Sequence, residues 1–184
     1  MIETSMGDIK VELYDSTPGH KANFIKLANE GFYDGLLFHR VMGGFMIQGG
    51  DPNSKSSGGP GYTIPAEIED NLVHYKGALA AARQGDQVNP RKKSSGSQFY
   101  LVHGGPVSEQ SLNRQEQQTG VIYSDEIRKK YYEVGGTPFL DFGYTVFGQV
   151  IEGFDVLDAI ATSKTKPGDR PEEDIIIFDV VLIK

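Results

Sequence analysis

Arg40 is the residue whose surroundings are hardest to explain without chemistry. It lies in the run Phe38-His39-Arg40-Val41-Met42-Gly43-Gly44-Phe45-Met46-Ile47-Gln48-Gly49-Gly50-Asp51, where nearly every neighbour is apolar or glycine. Arginine is almost never fully buried without a partner. A guanidinium offers five N–H donors and stays charged, so it suits donation to an anion or a lone pair rather than proton transfer. From this segment alone, a structural ion pair and a functional group are equally good readings. Two further clusters, Ser95-Gly96-Ser97-Gln98-Phe99-Tyr100-Leu101 and Phe139-Leu140-Asp141-Phe142-Gly143-Tyr144-Thr145-Val146-Phe147-Gly148, read singly as core and turn.

Other chemistries find little support. The chain has no cysteine, so thiol nucleophiles, thiolate metal sites and disulfides are excluded. His20, His39, His74 and His103 show no metal-ligand spacing. Glu67, Glu69 and Asp70 could form a metal or acid–base site, but a solvated acidic turn explains them more simply. No phosphate-binding loop and no G-x-S-x-G elbow occurs. The net charge of −7 disfavours nucleic acid as a partner. No run approaches 18 apolar residues, so no membrane span is expected. The N-terminus has no basic-then-apolar leader. A cytoplasmic location is therefore expected, or a periplasmic or secreted one if a leader has been removed.

The elements that must hold these residues follow from periodicity. Ile9, Val11 and Leu13 alternate with Lys10 and Glu12, so residues 2–14 read as a hairpin. Thr17-Pro18 opens a helix over about 18–30, with Gly31 as its stop. Residues 37–50 read as two buried strands, and 51–62 as a long loop of Gly, Pro and Ser. Strands are expected at 78–82, 99–102, 144–151 and 175–183, and a short helix at 154–161. About eight strands and two helices, with 23 glycines in 184 residues, favour one barrel domain over a parallel α/β sheet. Residues 106–136 stand apart as an insertion. Within it Ser124 caps a helix that Gly135 ends, with Ile127, Tyr131 and Val134 as its apolar stripe.

Taken together, the FHR…GFM-QGGD, GSQF and FLD…VFG blocks resemble the cyclophilin family of peptidyl-prolyl cis–trans isomerases, in the family's order and over nearly all the chain outside 106–136. The resemblance implies a mainly β fold: a closed eight-stranded antiparallel barrel capped by two helices, with its groove on the outer face. It implies rotation about X-Pro bonds in proline-containing peptides and unfolded protein clients, with no cofactor and no metal. By position, Arg40 matches the catalytic arginine. Phe45, Met46, Tyr100, Phe139 and Leu140 match the proline pocket. Gln48, Ala82, Arg83 and Gln98 match positions that hold the substrate backbone, and Tyr144 the position usually filled by His. A prolyl-peptide-binding chaperone with incidental turnover is the alternative.

Phe139 stands where many eukaryotic members have Trp, and Arg83 where Asn is common. These choices resemble the bacterial-type branch and imply weak cyclosporin binding. Arg83 is expected to point to solvent, with a preference for acidic substrates as the other reading. The loop at 84–97 carries Arg91, Lys92 and Lys93, expected as solvated surface or as a border of the groove. No heptad or long apolar stripe asks for a partner, so a monomer is expected.

Overall fold

The computed structural model describes residues 1–54 and 57–183. Its strands are β1 (Ile2–Thr4), β2 (Gly7–Leu13), β3 (Arg40–Met42), β4 (Met46–Gly49), β5 (Thr63–Ile64), β6 (Ala78–Ala81), β7 (Ser94–Ser95), β8 (Phe99–Val102), β9 (Val146–Glu152), β10 (Thr165–Lys166), β11 (Arg170–Pro171) and β12 (Ile177–Val180). The helices are α1 (Pro18–Asn29), α2 (Glu109–Thr119), α3 (Asp125–Val134) and α4 (Phe154–Ala161). Eight strands form one antiparallel sheet in the order β12-β1-β2-β9-β6-β8-β4-β3, while β5–β7 and β10–β11 make small ribbons.

Strict alternation divides this sheet into two faces. Val41, Ile47, Leu79, Leu101 and Phe99 point inward and join Phe24 and Leu27 of α1 and Leu157 and Ile160 of α4 in the main core. Phe24 anchors its aromatic centre, with ring centroids 5.1 Å from Tyr33, 5.6 Å from Phe99 and 5.7 Å from Phe147. Met46, Ala78, Ala80, Tyr100, Val102 and Val146 form a second apolar cluster on the opposite face. This is why β6 and β8 read as uninterrupted apolar runs: both of their faces are covered.

Three expectations need correction. The sheet curls but is not a closed barrel. Its end strands β12 and β3 are not ladder partners, and only the segment before β3 reaches across, through the Leu37–Ile176 bridge and the bonds Phe38 N–H to Ile175 O (2.9 Å) and Ile177 N–H to Leu36 O (2.7 Å). The Val41 N–H donates instead to Asp169 O in the β10–β11 turn, at 2.7 Å. The described residues hold four α-helices, not two. The polar stretch 109–118, unreadable by periodicity, forms α2 because Ser108 caps it and Leu112 and Gln115 are buried beneath it. In α3, Ser124 and Gly135 cap as expected, but Val134 is 43% exposed and only Tyr131 is fully buried.

The third correction concerns Thr17 and Glu67. Thr17 does not cap α1 with its side chain. Glu67 does so from a distant loop, accepting from the backbone N–H groups of Gly19 and His20, both at 2.9 Å. A carboxylate satisfies the free N–H groups and the positive end of the helix dipole together. Its Oε2 also lies 2.6 Å from His20 Nδ1, whose Nε2 meets Ser94 Oγ at 2.8 Å. Glu67 thus belongs to a structural network rather than a solvated turn, and no cluster able to hold a metal ion occurs among the described residues.

Burial lowers the pKa of His20, His39 and His103, outweighing the nearby carboxylates. Such a histidine binds fewer protons folded than unfolded below about pH 6.5, so stability rises with pH in that range. Unfolding free energy from urea titration should fall as the pH drops below about 6.5. His39 is 4% exposed, and desolvation of its ring outweighs the carboxylate of Asp51. His39→Gln should therefore shrink the difference between neutral and mildly acidic pH; an unchanged difference would show that His39 does not contribute.

Candidate active site

The outer face of the sheet brings the three sequence blocks to one place. Arg40 on β3 pairs with Gln48 on β4, Gln48 with Tyr100 on β8, and Tyr100 with Ala80 on β6. Because these are direct cross-strand partners, their side chains form a row across four strands. Above the row is a cavity of about 310 Å³ lined by Arg40, Phe45, Met46, Gln48, Ala82, Arg83, Tyr100, Leu140 and Tyr144. Phe139 does not line it. It lies in the short 3-10 turn Pro138–Leu140, is 64% exposed, and packs on Phe45 with centroids 5.5 Å apart at the rim. A second, open cavity of about 740 Å³ adjoins the first and shares Gln48, Ala82 and Arg83. Gln98 lines this larger space and not the smaller one.

The polar side chains are held in place. Gln48 Nε2 donates to Gln98 Oε1 at 2.9 Å, and Gln98 Nε2 donates to Gly58 O at 2.8 Å. The two amides therefore fix one another's orientation. Arg40 Nε donates to Asp169 Oδ2 at 3.3 Å and its Nη2 to Met42 Sδ at 3.2 Å. Both members of the Arg40–Asp169 pair are a little over one-third exposed. Arg40 is therefore ion-paired and also lines the cavity, with donors left over for a ligand.

Arg83 does not point to solvent. Its side chain is 6% exposed, and its guanidinium carbon stands 4.5 Å from the Tyr144 ring centre. Nε donates to Gly143 O at 2.6 Å, and Nη1 to Gln84 O at 2.9 Å and Asp86 Oδ1 at 2.6 Å. This clamp ties the start of the 84–97 loop to the turn before β9. The basic run is divided: Arg91 is exposed, Lys92 Nζ donates to Phe142 O at 3.0 Å, and Lys93 borders the larger cavity.

Three residues escaped the sequence reading. Asp169 sits in a turn with φ of +63° and supports Arg40 across 129 residues of chain. His74 and Asp141 form a fully buried pair at 2.7 Å behind Tyr100. No local pattern marks these partners, because each contact is made only by the tertiary fold.

The sequence model of the cyclophilin type peptidyl-prolyl cis–trans isomerases matches residues 1–182. The chain belongs to the cyclophilin family. A Staphylococcus saprophyticus relative, named as a peptidyl-prolyl cis–trans isomerase, is 38% identical over 188 residues, covering 100% of this chain and 91% of its own. A Streptococcus pyogenes relative, named as a bifunctional phosphatase and peptidyl-prolyl cis–trans isomerase, is 41% identical over 184 residues. That alignment spans 96% of this chain but 37% of the longer protein. The crystal structure of a Cryptosporidium parvum cyclophilin superposes with a TM-score of 0.77 at 28% identity, covering 100% of this chain and 95% of that one. A second structure of the same parasite protein, determined in the presence of the dipeptide Ala-Pro, also has a TM-score of 0.77.

In this cyclophilin the Arg40–Asp169 pair is accessible to water, so its strength is modest. Asp169→Ala should lower kcat/KM for a prolyl peptide about two- to five-fold by freeing the guanidinium to wander. A loss as large as that of removing Arg40 would mean that Asp169 does more than hold it.

Proposed function

We propose that this cyclophilin rotates X-Pro bonds by gripping the prolyl ring in the 310 Å³ cavity while Arg40 donates to the amide nitrogen. The observation that carries the reading is a permanent donor, Arg40, on the wall of a cavity that Phe45, Met46, Tyr100 and Leu140 also line.

The chemistry asks for no more. Partial double-bond character sets a barrier of about 18–20 kcal/mol, and uncatalysed isomerisation takes roughly 10–100 s. No bond breaks, so neither nucleophile nor acid–base pair is required. As the amide twists, conjugation is lost and the nitrogen regains its lone pair. A guanidinium can donate to that lone pair and cannot lose its own proton. The planar amide offers no such acceptor at nitrogen, so the contact is stronger in the twisted state, as acceleration requires. Lowering the barrier by about 7 kcal/mol would give roughly 10⁵-fold acceleration. Gln48, Gln98 and the backbone at Ala82 and Arg83 hold the flanking peptide against rotating with the ring. Clients are flexible or unfolded chains, whose prolyl bonds can be drawn onto an outer face.

Cyclosporin binding is weak in this reading, since Phe139 replaces the indole that contributes to that contact in many eukaryotic members. Phe139→Trp should tighten it, and a nanomolar inhibition constant for the wild type would overturn the inference.

Arg40→Ala is the decisive variant. Activity on a prolyl peptide should fall by one to three decades, roughly 1.4–4 kcal/mol of transition-state stabilisation. Peptide binding by calorimetry should persist in the same variant. Undiminished turnover in a folded Arg40→Ala protein would leave a binding module with incidental activity as the better description.

A further inference from the structure

The insertion at 106–136 sends the hydroxyls of two buried tyrosines to a single carboxylate. Asp141 directly follows Phe139 and Leu140 and is 2% exposed. Its Oδ2 accepts from the hydroxyls of Tyr123 and Tyr131, each at 2.6 Å. Its Oδ1 accepts from the His74 backbone N–H at 2.8 Å and lies 2.7 Å from His74 Nδ1. The Asp141 carbonyl accepts from Gln115 of α2 at 3.1 Å. On the far side of the imidazole, Nε2 lies 2.9 Å from the Tyr100 hydroxyl. Tyr100 is a wall of the 310 Å³ cavity.

The direction of this chain follows from the donor inventory. An ionised carboxylate only accepts, so the proton between Asp141 and the ring sits on Nδ1. In the neutral ring Nε2 is then an acceptor, and Tyr100 donates to it. Burial, reinforced by the Asp141 charge, raises the pKa of Tyr123 and Tyr131 and keeps both phenols as donors. A carboxylate this deep is tolerable only with its lone pairs satisfied. Two of the four donors come from the insertion. The insertion is also anchored at its far end, where Gly136 N–H donates to Gly105 O at 3.0 Å. Gly136 has φ of +152°, and a Cβ there would meet the Tyr131 ring at 2.7 Å.

We propose that the insertion is a positioning element of the prolyl pocket, acting through the chain Tyr123/Tyr131–Asp141–His74–Tyr100 to hold the Tyr100 ring against the substrate. The proposal rests on the isomerase reading above and assigns Tyr123, Tyr131, Asp141 and His74 as positioning residues. None of these four lines the cavity; the hydrogen-bonded chain reaches it at Tyr100, which His74 contacts.

The test compares Tyr123→Phe with Ile160→Val, a core change in α4 remote from the chain. Tyr123→Phe should raise KM for a prolyl peptide three- to ten-fold while kcat stays within two-fold, because a loosened wall weakens binding of every state. Ile160→Val should leave KM within 1.5-fold. An unchanged KM in folded Tyr123→Phe, or the same rise in Ile160→Val, overturns the proposal. Nitrogen-15 spectra of the His74 ring in the wild type judge it independently, even if Tyr123→Phe does not fold. Protonated Nδ1 with an accepting Nε2 is expected, and the opposite tautomer overturns the chain. A wild type without turnover would refute the isomerase reading, while the tautomer would still decide whether the chain exists.

Discussion

A one-residue slip of β3 against β4 would drive the Arg40 guanidinium into the core beside Ile47 and would turn Val41 out toward the cavity. Strand periodicity admits no intermediate, so register carries both stability and chemistry. The inward set, Val41, Ile47, Leu101 and Leu79, is locked by burial. The outward set, Arg40, Gln48, Tyr100 and Ala80, is thereby aligned without any interaction of its own needing to enforce it. The pocket is the reverse side of the core. Its floor is stiff because the same strands cannot shift without opening the packing behind them.

On this floor stand groups that require support from elsewhere in the chain. Arg40 leans on Asp169 in the β10–β11 turn, Gln48 on Gln98, and Arg83 on Gly143 and Asp86. Asp141 is the most demanding, since a fully buried carboxylate without donors would be expelled or protonated. Four donors from three parts of the chain meet it, and one of them leads through His74 to the cavity wall. Stability and site geometry are coupled there: the network that makes the charge tolerable also orients Tyr100.

The electrostatic layout suits a reaction in which no charge is created by bond breaking. The molecule carries −7 overall, yet among the described residues the paired cavities are bordered by Arg40, Arg83 and Lys93 and by no carboxylate side chain. Arg83 is held by Asp86, two carbonyls and the Tyr144 ring, whereas Arg40 has one carboxylate partner and donors to spare. A fixed donor in a site of low polarity acts without reorganising, and this is the form of assistance that a twisting amide can use.

Sequence alone determined the elements whose periodicity is strong and local. The 2–14 hairpin, the helices at 18–29 and 154–161, and the caps Ser124 and Gly135 all follow from residue type and spacing. The resemblance singled out eleven residues, of which the fold brings Arg40, Phe45, Met46, Gln48, Ala82, Arg83, Tyr100, Leu140 and Tyr144 to one cavity and leaves Phe139 and Gln98 off its wall. It did not determine partners. Nothing near Thr17 says that Glu67 will cap α1, nothing near Arg40 points to Asp169, and the polar run of α2 hides its helix because only Leu112 and Gln115 are buried. Arg83 read as a solvated side chain, and the sheet as a closed barrel. Both were decided by contacts between segments far apart in the chain. Periodicity reports which face of an element is apolar, whereas hydrogen bonds and ion pairs between distant elements depend on where folding brings those faces. Only the tertiary structure could therefore show that the insertion and the pocket share one buried carboxylate.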